Sequence, residues 1–396
     1  MDAHNLAQTT FGSLDSFGAG IDTCTPMTST EPGISPPGPR YDQFIERFER
    51  AFRAEVDAFI RLVSGMDVNL TPPRDGLVAI QIAQLPPSRS APAHHRPRLT
   101  DRKDRPERMS TPALVATCWT SAGNVAPLDD PDISPFSAVD RIHAVASTGW
   151  AGIGFGQDDL RVIRETVGFP AIRAEIEAAG LRHVEVELAS GWWREDLAWR
   201  GTWELLLEAA HGLHASFVKV GTAFGSPVDD ITPFVNPLRQ IANEAAAVGT
   251  RVAIEPLPFG LIGSMPQGAD LIRAAGHPSA GLLVDFWHVF RADTTLPELV
   301  ECLDSTIIFG VELSDAQLES VGTLFEDTRD RRTLIGHGAQ DVVGFIRAMR
   351  EVDFDGPWGV EILSAEHRQR PLIEALTVAR DSALEAFEQA DQRPGF

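Results

Sequence analysis

Lysine is almost missing from this chain. Of 396 residues only Lys103 and Lys219 are lysine, and arginine supplies nearly all the other positive charge. Cysteine is almost as scarce: Cys24, Cys118 and Cys302 are scattered without metal-type spacing, which gives no disulfide framework and fits a reducing cytoplasm. No apolar run approaches the ~20 residues of a membrane span, so no membrane partner is expected. No basic stretch followed by an apolar core opens the chain, so no secretory signal is read there. Positive charge is outnumbered: 34 Lys and Arg face 56 Asp and Glu, a formal net charge of -22. Residues 1–108 hold 13 basic and 14 acidic side chains, which leaves -21 in residues 109–396. A field of that sign repels phosphate backbones and argues against nucleic acid as a partner.

What is present falls into two parts. Residues 1–40 are rich in Gly, Pro, Ser and Thr without periodicity and read as disordered. From Tyr41 to Ser64, Phe44, Phe48, Phe52, Val56, Phe59, Ile60 and Val63 recur at helical steps, and residues 76–84 can make a second short helix. Residues 41–84 are therefore expected to be a helical unit, and the Pro- and Arg-rich stretch 85–110 a linker.

Residues 111–392 alternate apolar runs with amphipathic stretches. The predicted strands are Leu114–Trp119, Gly152–Phe155, His183–Leu188, Ser216–Val220, Arg251–Glu255, Gly281–Asp285, Ile307–Leu313 and Trp358–Ile362. Helices are predicted over Leu238–Val248, Gly268–Ala275, Leu296–Leu303 and Val342–Val352, among others. Eight such units match an α/β fold of the (β/α)8 TIM-barrel type, with a partly disordered N-terminal extension. An open doubly wound sheet would carry a Gly-rich phosphate loop after its first strand, and Cys118-Trp-Thr-Ser-Ala-Gly-Asn124 is a poor one. The insertion Gln317–Gly338 is expected to flap over the active face.

Each of the last four predicted strands ends in an acid: Glu255, Asp285, Glu312 and Glu361. A carboxylate at the tip of a buried strand is costly unless compensated, and a divalent cation is the usual partner. A single acid there is often just a helix cap. Four on successive parallel strands converge only if the sheet closes into a ring, at the end where barrel active sites lie. Lys219, at the tip of Ser216–Val220, is either a snorkelling edge-strand lysine or a compact cation in that site.

The segments Val252-Ala-Ile-Glu-Pro-Leu-Pro258, Leu282-Leu-Val-Asp-Phe-Trp-His288, Gly310-Val-Glu-Leu-Ser-Asp-Ala316 and Gly356-Pro-Trp-Gly-Val-Glu-Ile-Leu-Ser-Ala-Glu-His-Arg368 resemble the sugar-phosphate isomerase/epimerase superfamily, the xylose-isomerase-like barrels. The likeness spans residues 112–390. It implies a divalent ion, Mn²⁺ or Mg²⁺ with Co²⁺ also allowed, held by Glu255, Asp285, Glu312 and Glu361, with His288 touching substrate. Two positions depart from the family. Many relatives have His where this chain has Glu312, and an all-carboxylate set favours hard ions over zinc. The ketose 3-epimerases carry a further Glu shortly after the one matching Glu255; Pro-Leu-Pro-Phe-Gly-Leu stands there instead.

In such a site the cation polarises a carbonyl and its neighbouring hydroxyl. By the family's pattern Glu255 and Glu361 move the proton as base and acid, while Lys219 and His288 hold substrate oxygens. Isomerisation or epimerisation of a sugar or cyclitol and dehydration of an inosose or of 3-dehydroshikimate use the same parts, so residue types leave both open. Trp119, Trp192 and Trp193 either wall the pocket or pack in the core. Glu185 and Glu187 are read as facing opposite sides of their strand, with Glu187 as either a substrate contact or an ion-pair partner. Arg291 and His367 are candidates for an anionic substrate group, with a solvated helix start the other reading of His367.

Residues 41–90 separately resemble the C-terminal tail of Gfo/Idh/MocA oxidoreductases, of the inositol 2-dehydrogenase kind. No Gly-x-Gly-x-x-Gly turn precedes them, so a fusion remnant or an early start codon ahead of Met109 is expected, without NAD binding. The tail points toward inositol catabolism. A homo-oligomer stays open.

Overall fold

A computed structural model of the protein describes residues 111–392. The segment expected to be disordered (1–40), the helical unit (41–84) and the linker (85–110) lie outside the described residues.

Eight strands stand where the apolar runs put them: β1 Leu114–Ala116, β2 Gly152–Gly156, β3 His183–Ala189, β4 Phe217–Val220, β5 Val252–Ile254, β6 Ala280–Asp285, β7 Ile308–Leu313 and β8 Trp358–Val360. Each pairs in parallel with the next, and β8 closes on β1 through Leu114↔Trp358, Val115↔Gly359 and Ala116↔Val360. Helices follow the strands and cover the barrel's outside. Among the described residues no helix is long and apolar enough to cross a membrane.

Strand alternation sorts the side chains into two populations. Val218, Val220, Val252, Ile254, Val284, Val311 and Leu313 face outward into the main core with helix residues such as Leu238, Ile241 and Leu271. Phe217, Ala253, Leu283 and Phe309 form a separate cluster inside the ring. Burying each of the larger side chains contributes about 1.5–3 kcal/mol. Two residues further along β4, β5 and β6, on the same inner face, stand Lys219, Glu255 and Asp285. An apolar plug therefore fills the lower barrel and forces the charged layer to its C-terminal end. Glycine makes the room. A Cβ on Gly310 would lie 2.6 Å from Leu283 Cδ1, and one on Gly359 would lie 2.8 Å from Glu312 Cγ.

Three sequence expectations need correction. The first strand stops at Ala116, and Trp119 sits in a short helix, Cys118–Ser121. The Thr120 hydroxyl accepts from the Ile362 amide at 2.8 Å and donates to the Val360 carbonyl at 2.8 Å, which ties this helix to the end of β8. The helix predicted to start at Leu238 starts at Thr232 and carries Pro237 inside it, at the loss of one backbone hydrogen bond. The helix predicted from Gly268 begins at Met265, capped by the Ser264 side chain.

Candidate active site

The four acids meet. Glu255, Asp285, Glu312 and Glu361 each offer a carboxylate oxygen within 4.8 Å of the others', and all four residues are buried. The register brings them together: Asp285 on β6 pairs with Glu312 on β7, while Glu255 and Glu361 lie one residue past β5 and β8. Their amides still continue the ladder, to the Val220 and Leu313 carbonyls at 2.9 Å each. Asp285 also caps the helix Phe286–Arg291, accepting from the His288 amide at 3.2 Å.

Cations bind the set together. Lys219 Nζ lies 2.8 Å from Glu312 Oε1, 3.0 Å from Glu187 Oε2 and 3.2 Å from Glu361 Oε1. Arg332 Nη1 lies 2.6 Å from Asp285 Oδ2, and Nη2 lies 3.3 Å from Glu361 Oε2. Sequence reasoning missed Arg332. It comes from the β7–β8 insertion, whose helix Leu324–Asp330 supplies Phe325 and Thr328 to the cavity wall. The insertion thus lies over the active face, as the sequence reading expected, and its arginine reaches the strand tips.

Five carboxyl groups surround two cations, and the electrostatics record the imbalance. Burial pushes Glu255 up to about 8 against the pull of Lys219. Burial raises Glu187 to about 7 and carries Glu312 well above the carboxylate range, with Glu361 adding to the latter. Burial disfavours charge on Lys219, but Glu187, Glu255, Glu312 and Glu361 outweigh it and hold the ammonium well above its usual value. His288, sealed against Trp287 and Phe259, is driven well below its usual value by burial and then by Arg332. Its Nε2 lies 3.5 Å from Glu255 Oε1.

The donor set fits a divalent cation. Glu255 Oε1 and Glu312 Oε2 are buried without a hydrogen-bond partner. Facing acceptors of this kind need either protons or a metal ion. The set is all oxygen, with His288 beside Glu255 and Asp285 as an alternative nitrogen donor.

A cavity of about 350 Å³ opens above this layer. Glu187, Lys219, Glu255, His288, Arg332 and Glu361 line its floor. Asp285 and Glu312, both 0% exposed, stand behind them. Trp119 lines the wall, as does Trp199, which the sequence reading did not single out. Trp192 does not: it is buried against Trp193 and Phe234 and donates to the Gly221 carbonyl at 2.8 Å.

Three readings are corrected by this geometry. Glu185 and Glu187 do not face opposite ways: two apart on one strand, they share a face, and Glu185 bonds His183 at 2.8 Å below Glu187. Arg291 is turned from the cavity into Asp327 at 2.8 Å and the carbonyls of Gln317 and Leu318. His367 is buried rather than solvated, and it lines a neighbouring cavity with Thr333, Ile362 and Ser382 instead of the active-face one.

A family model described as xylose isomerase-like TIM barrel matches residues 142–382. A 3-dehydroshikimate dehydratase of Pseudomonas aeruginosa is 32% identical over 135 residues, 34% of this chain and 21% of that protein. An inosose isomerase of Halalkalibacterium halodurans is 28% identical over 157 residues, 39% of this chain and 54% of that protein. The matched stretch thus spans between a fifth and about half of these curated relatives. The solved structure of the IOLI protein with a binding zinc atom superposes with a TM-score of 0.60 at 16% identity, covering 71% of this chain and 100% of that one, a likeness of fold.

Proposed function

The chain belongs to the xylose isomerase-like TIM barrel family, and from that premise we propose that it is a divalent-cation-dependent isomerase or epimerase of a sugar or cyclitol ketone. The observation that carries this reading is the meeting of Glu255, Asp285, Glu312 and Glu361, with partnerless buried oxygens, at the base of a substrate-sized cavity. Those four residues would hold the cation, Mn²⁺ or Mg²⁺ by the hardness of the donor set, and the ion would supply Lewis-acid polarisation of a carbonyl and the adjacent hydroxyl.

The remaining work falls to the chain's own side chains. Glu255 and Glu361 reach the cavity whereas Asp285 and Glu312 do not. The first two are therefore the groups able to exchange a proton with substrate, one taking it from the carbon beside the carbonyl and the other returning it. Return to the opposite face epimerises; return to the former carbonyl carbon isomerises. Lys219, pinned among three carboxylates, and neutral His288 are placed to donate to substrate oxygens. The wall of Trp119, Phe259 and Phe325 keeps bulk water from the proton in transit.

A second reading, dehydration of a keto-cyclitol or of 3-dehydroshikimate, is favoured by the 32% identity to a 3-dehydroshikimate dehydratase. The same abstraction followed by loss of a β-hydroxyl, which takes its proton from the second carboxyl group, gives that outcome. Incubation of the Mn²⁺-loaded protein with ketoses, inososes and 3-dehydroshikimate in D₂O separates the two. Solvent deuterium entering the substrate without loss of water supports the isomerase, a new ultraviolet band from an inosose-derived enone or a dihydroxybenzoate supports the dehydratase, and neither signal with any substrate removes the proton-transfer reading.

A further inference from the structure

The charges around the cavity are already spent on one another. Among the described residues that line it, the only lysine or arginine side chains are Lys219 and Arg332. Lys219 serves Glu187, Glu312 and Glu361, and Arg332 serves Asp285 and Glu361. A divalent ion among four ionised carboxylates would bring the floor close to neutral, with Glu187 still to be counted, so no positive excess is left for a substrate anion.

Arginines in the neighbouring loops that are at least partly buried are paired as well: Arg291 with Asp327 at 2.8 Å, Arg368 with Asp330 at 2.6 Å, and Arg329 with Asp129 and Asp330. The one charged side chain on the upper wall is acidic. Asp132 lines the cavity beside Asp158, and burial with that neighbour lifts it to about 7. The rest of the wall is neutral. Gln157, Ser190, Thr202 and Thr328 offer hydrogen bonds to hydroxyls. Phe224 and Phe259, from two loops, and Phe325, from the helix Leu324–Asp330, cluster with centroids 4.9–6.0 Å apart, Phe325 meeting the other two edge to face, and present an apolar surface.

We infer that the substrate of this site is uncharged: a neutral hydroxyketone ring whose hydroxyls meet the polar wall and whose carbon–hydrogen face meets the phenylalanine cluster. Phosphorylated sugars and carboxylate-bearing rings such as 3-dehydroshikimate are disfavoured by the lack of an uncommitted cation among the described residues that line the cavity. This inference rests on the proposed proton-transfer reading for the kind of substrate, and it narrows that reading to its neutral members.

The test is titration calorimetry of the full chain loaded with Mn²⁺, using ligand pairs that differ in one charged group: D-fructose against D-fructose 6-phosphate, and the methyl ester of 3-dehydroshikimate against 3-dehydroshikimate itself. The neutral member is expected to bind at least about tenfold more tightly, as like-charge rejection of an anion requires. Ser190→Arg, which sets a free cation in the exposed wall in place of one hydroxyl, is expected to shift the preference within each pair toward the charged member by about tenfold. A charged member that binds wild type as tightly as its neutral partner overturns the inference, and so does a panel in which no neutral member binds. Neutral ligands that bind but take up no deuterium from D₂O would leave this inference standing and remove the proton-transfer reading alone.

Discussion

Arg332 and Asp285 are bonded at 2.6 Å, with side chains 1% and 0% exposed. The pair joins the insertion between β7 and β8 to the tip of β6, so it ties the loop over the cavity to the floor beneath it. Breaking a buried pair by removing one partner costs ~3–5 kcal/mol, because the survivor is left charged and unpaired. We expect Arg332→Met to lower the melting temperature of the EDTA-treated protein sharply, and Arg332→Lys to recover only part, since an ammonium cannot bridge Asp285 and Glu361 as the guanidinium does. Calorimetry with unchanged melting in Arg332→Met would show that the pair is ornamental.

Lys219 sits as a point charge between Glu187, Glu312 and Glu361. The planar fork of arginine does not fit three converging oxygens in a sealed site. We expect Lys219→Arg to lose roughly 10²-fold or more in kcat, the scale of losing a placed donor, while circular dichroism still reports a folded barrel. Near-normal kcat in that variant would remove Lys219 from the chemistry.

Glu255→Gln and Glu361→Gln are expected to lower turnover by about 10²–10⁴-fold, as removal of a general acid or base does. The two differ from a simple loss of fold. Glu255→Gln replaces a carboxyl that burial already holds toward its neutral form, so the cation-free variant is expected to melt no lower than wild type at pH 8. A variant that keeps its rate would misplace the proton carrier.

Stability should fall as pH rises in the absence of a cation. Burial holds Glu255 at about 8 and Glu187 at about 7, both above their unfolded values near ~4.3. The folded chain therefore keeps protons that the unfolded chain releases. That stabilisation is complete below the unfolded pKa and is lost as pH climbs through 7 and 8. A divalent cation that takes the place of those protons should flatten the fall and release protons on binding. Scanning calorimetry at pH 5 to 8, with EDTA or with Mn²⁺, checks this; a cation-free protein that gains stability toward pH 8 would contradict it.

Arg291→Met should destabilise the protein by breaking its buried pair with Asp327, and it should leave KM unchanged. His367→Leu should likewise spare KM, because the histidine lines a different cavity. A raised KM in either variant would return that residue to the substrate.

These outcomes mark what the sequence discloses. The strands were legible because both faces of each are buried, so they read as apolar runs, and the acids because they break those runs at one end. Lys219 stood out by its rarity. Arg332 did not: it is one of many arginines, 47 residues from Asp285 in the chain, inside a loop without periodicity. Whether Trp119 faced the cavity and Trp192 the core depended on the short helix after β1 and on the Gly221 carbonyl, neither of which has a local sequence signal. Arg291 looked like an anion receptor only because its partner Asp327 lies on the far side of a loop.

The four carboxylates are expected to share one ion, and the most direct measurement is an anomalous difference map from crystals of the full chain soaked in Mn²⁺. It should contain one strong peak at coordination distance from oxygens of Glu255, Asp285, Glu312 and Glu361. A map with no peak there, or with the ion bound elsewhere while those four carboxylates stay paired to Lys219 and Arg332 alone, would contradict it.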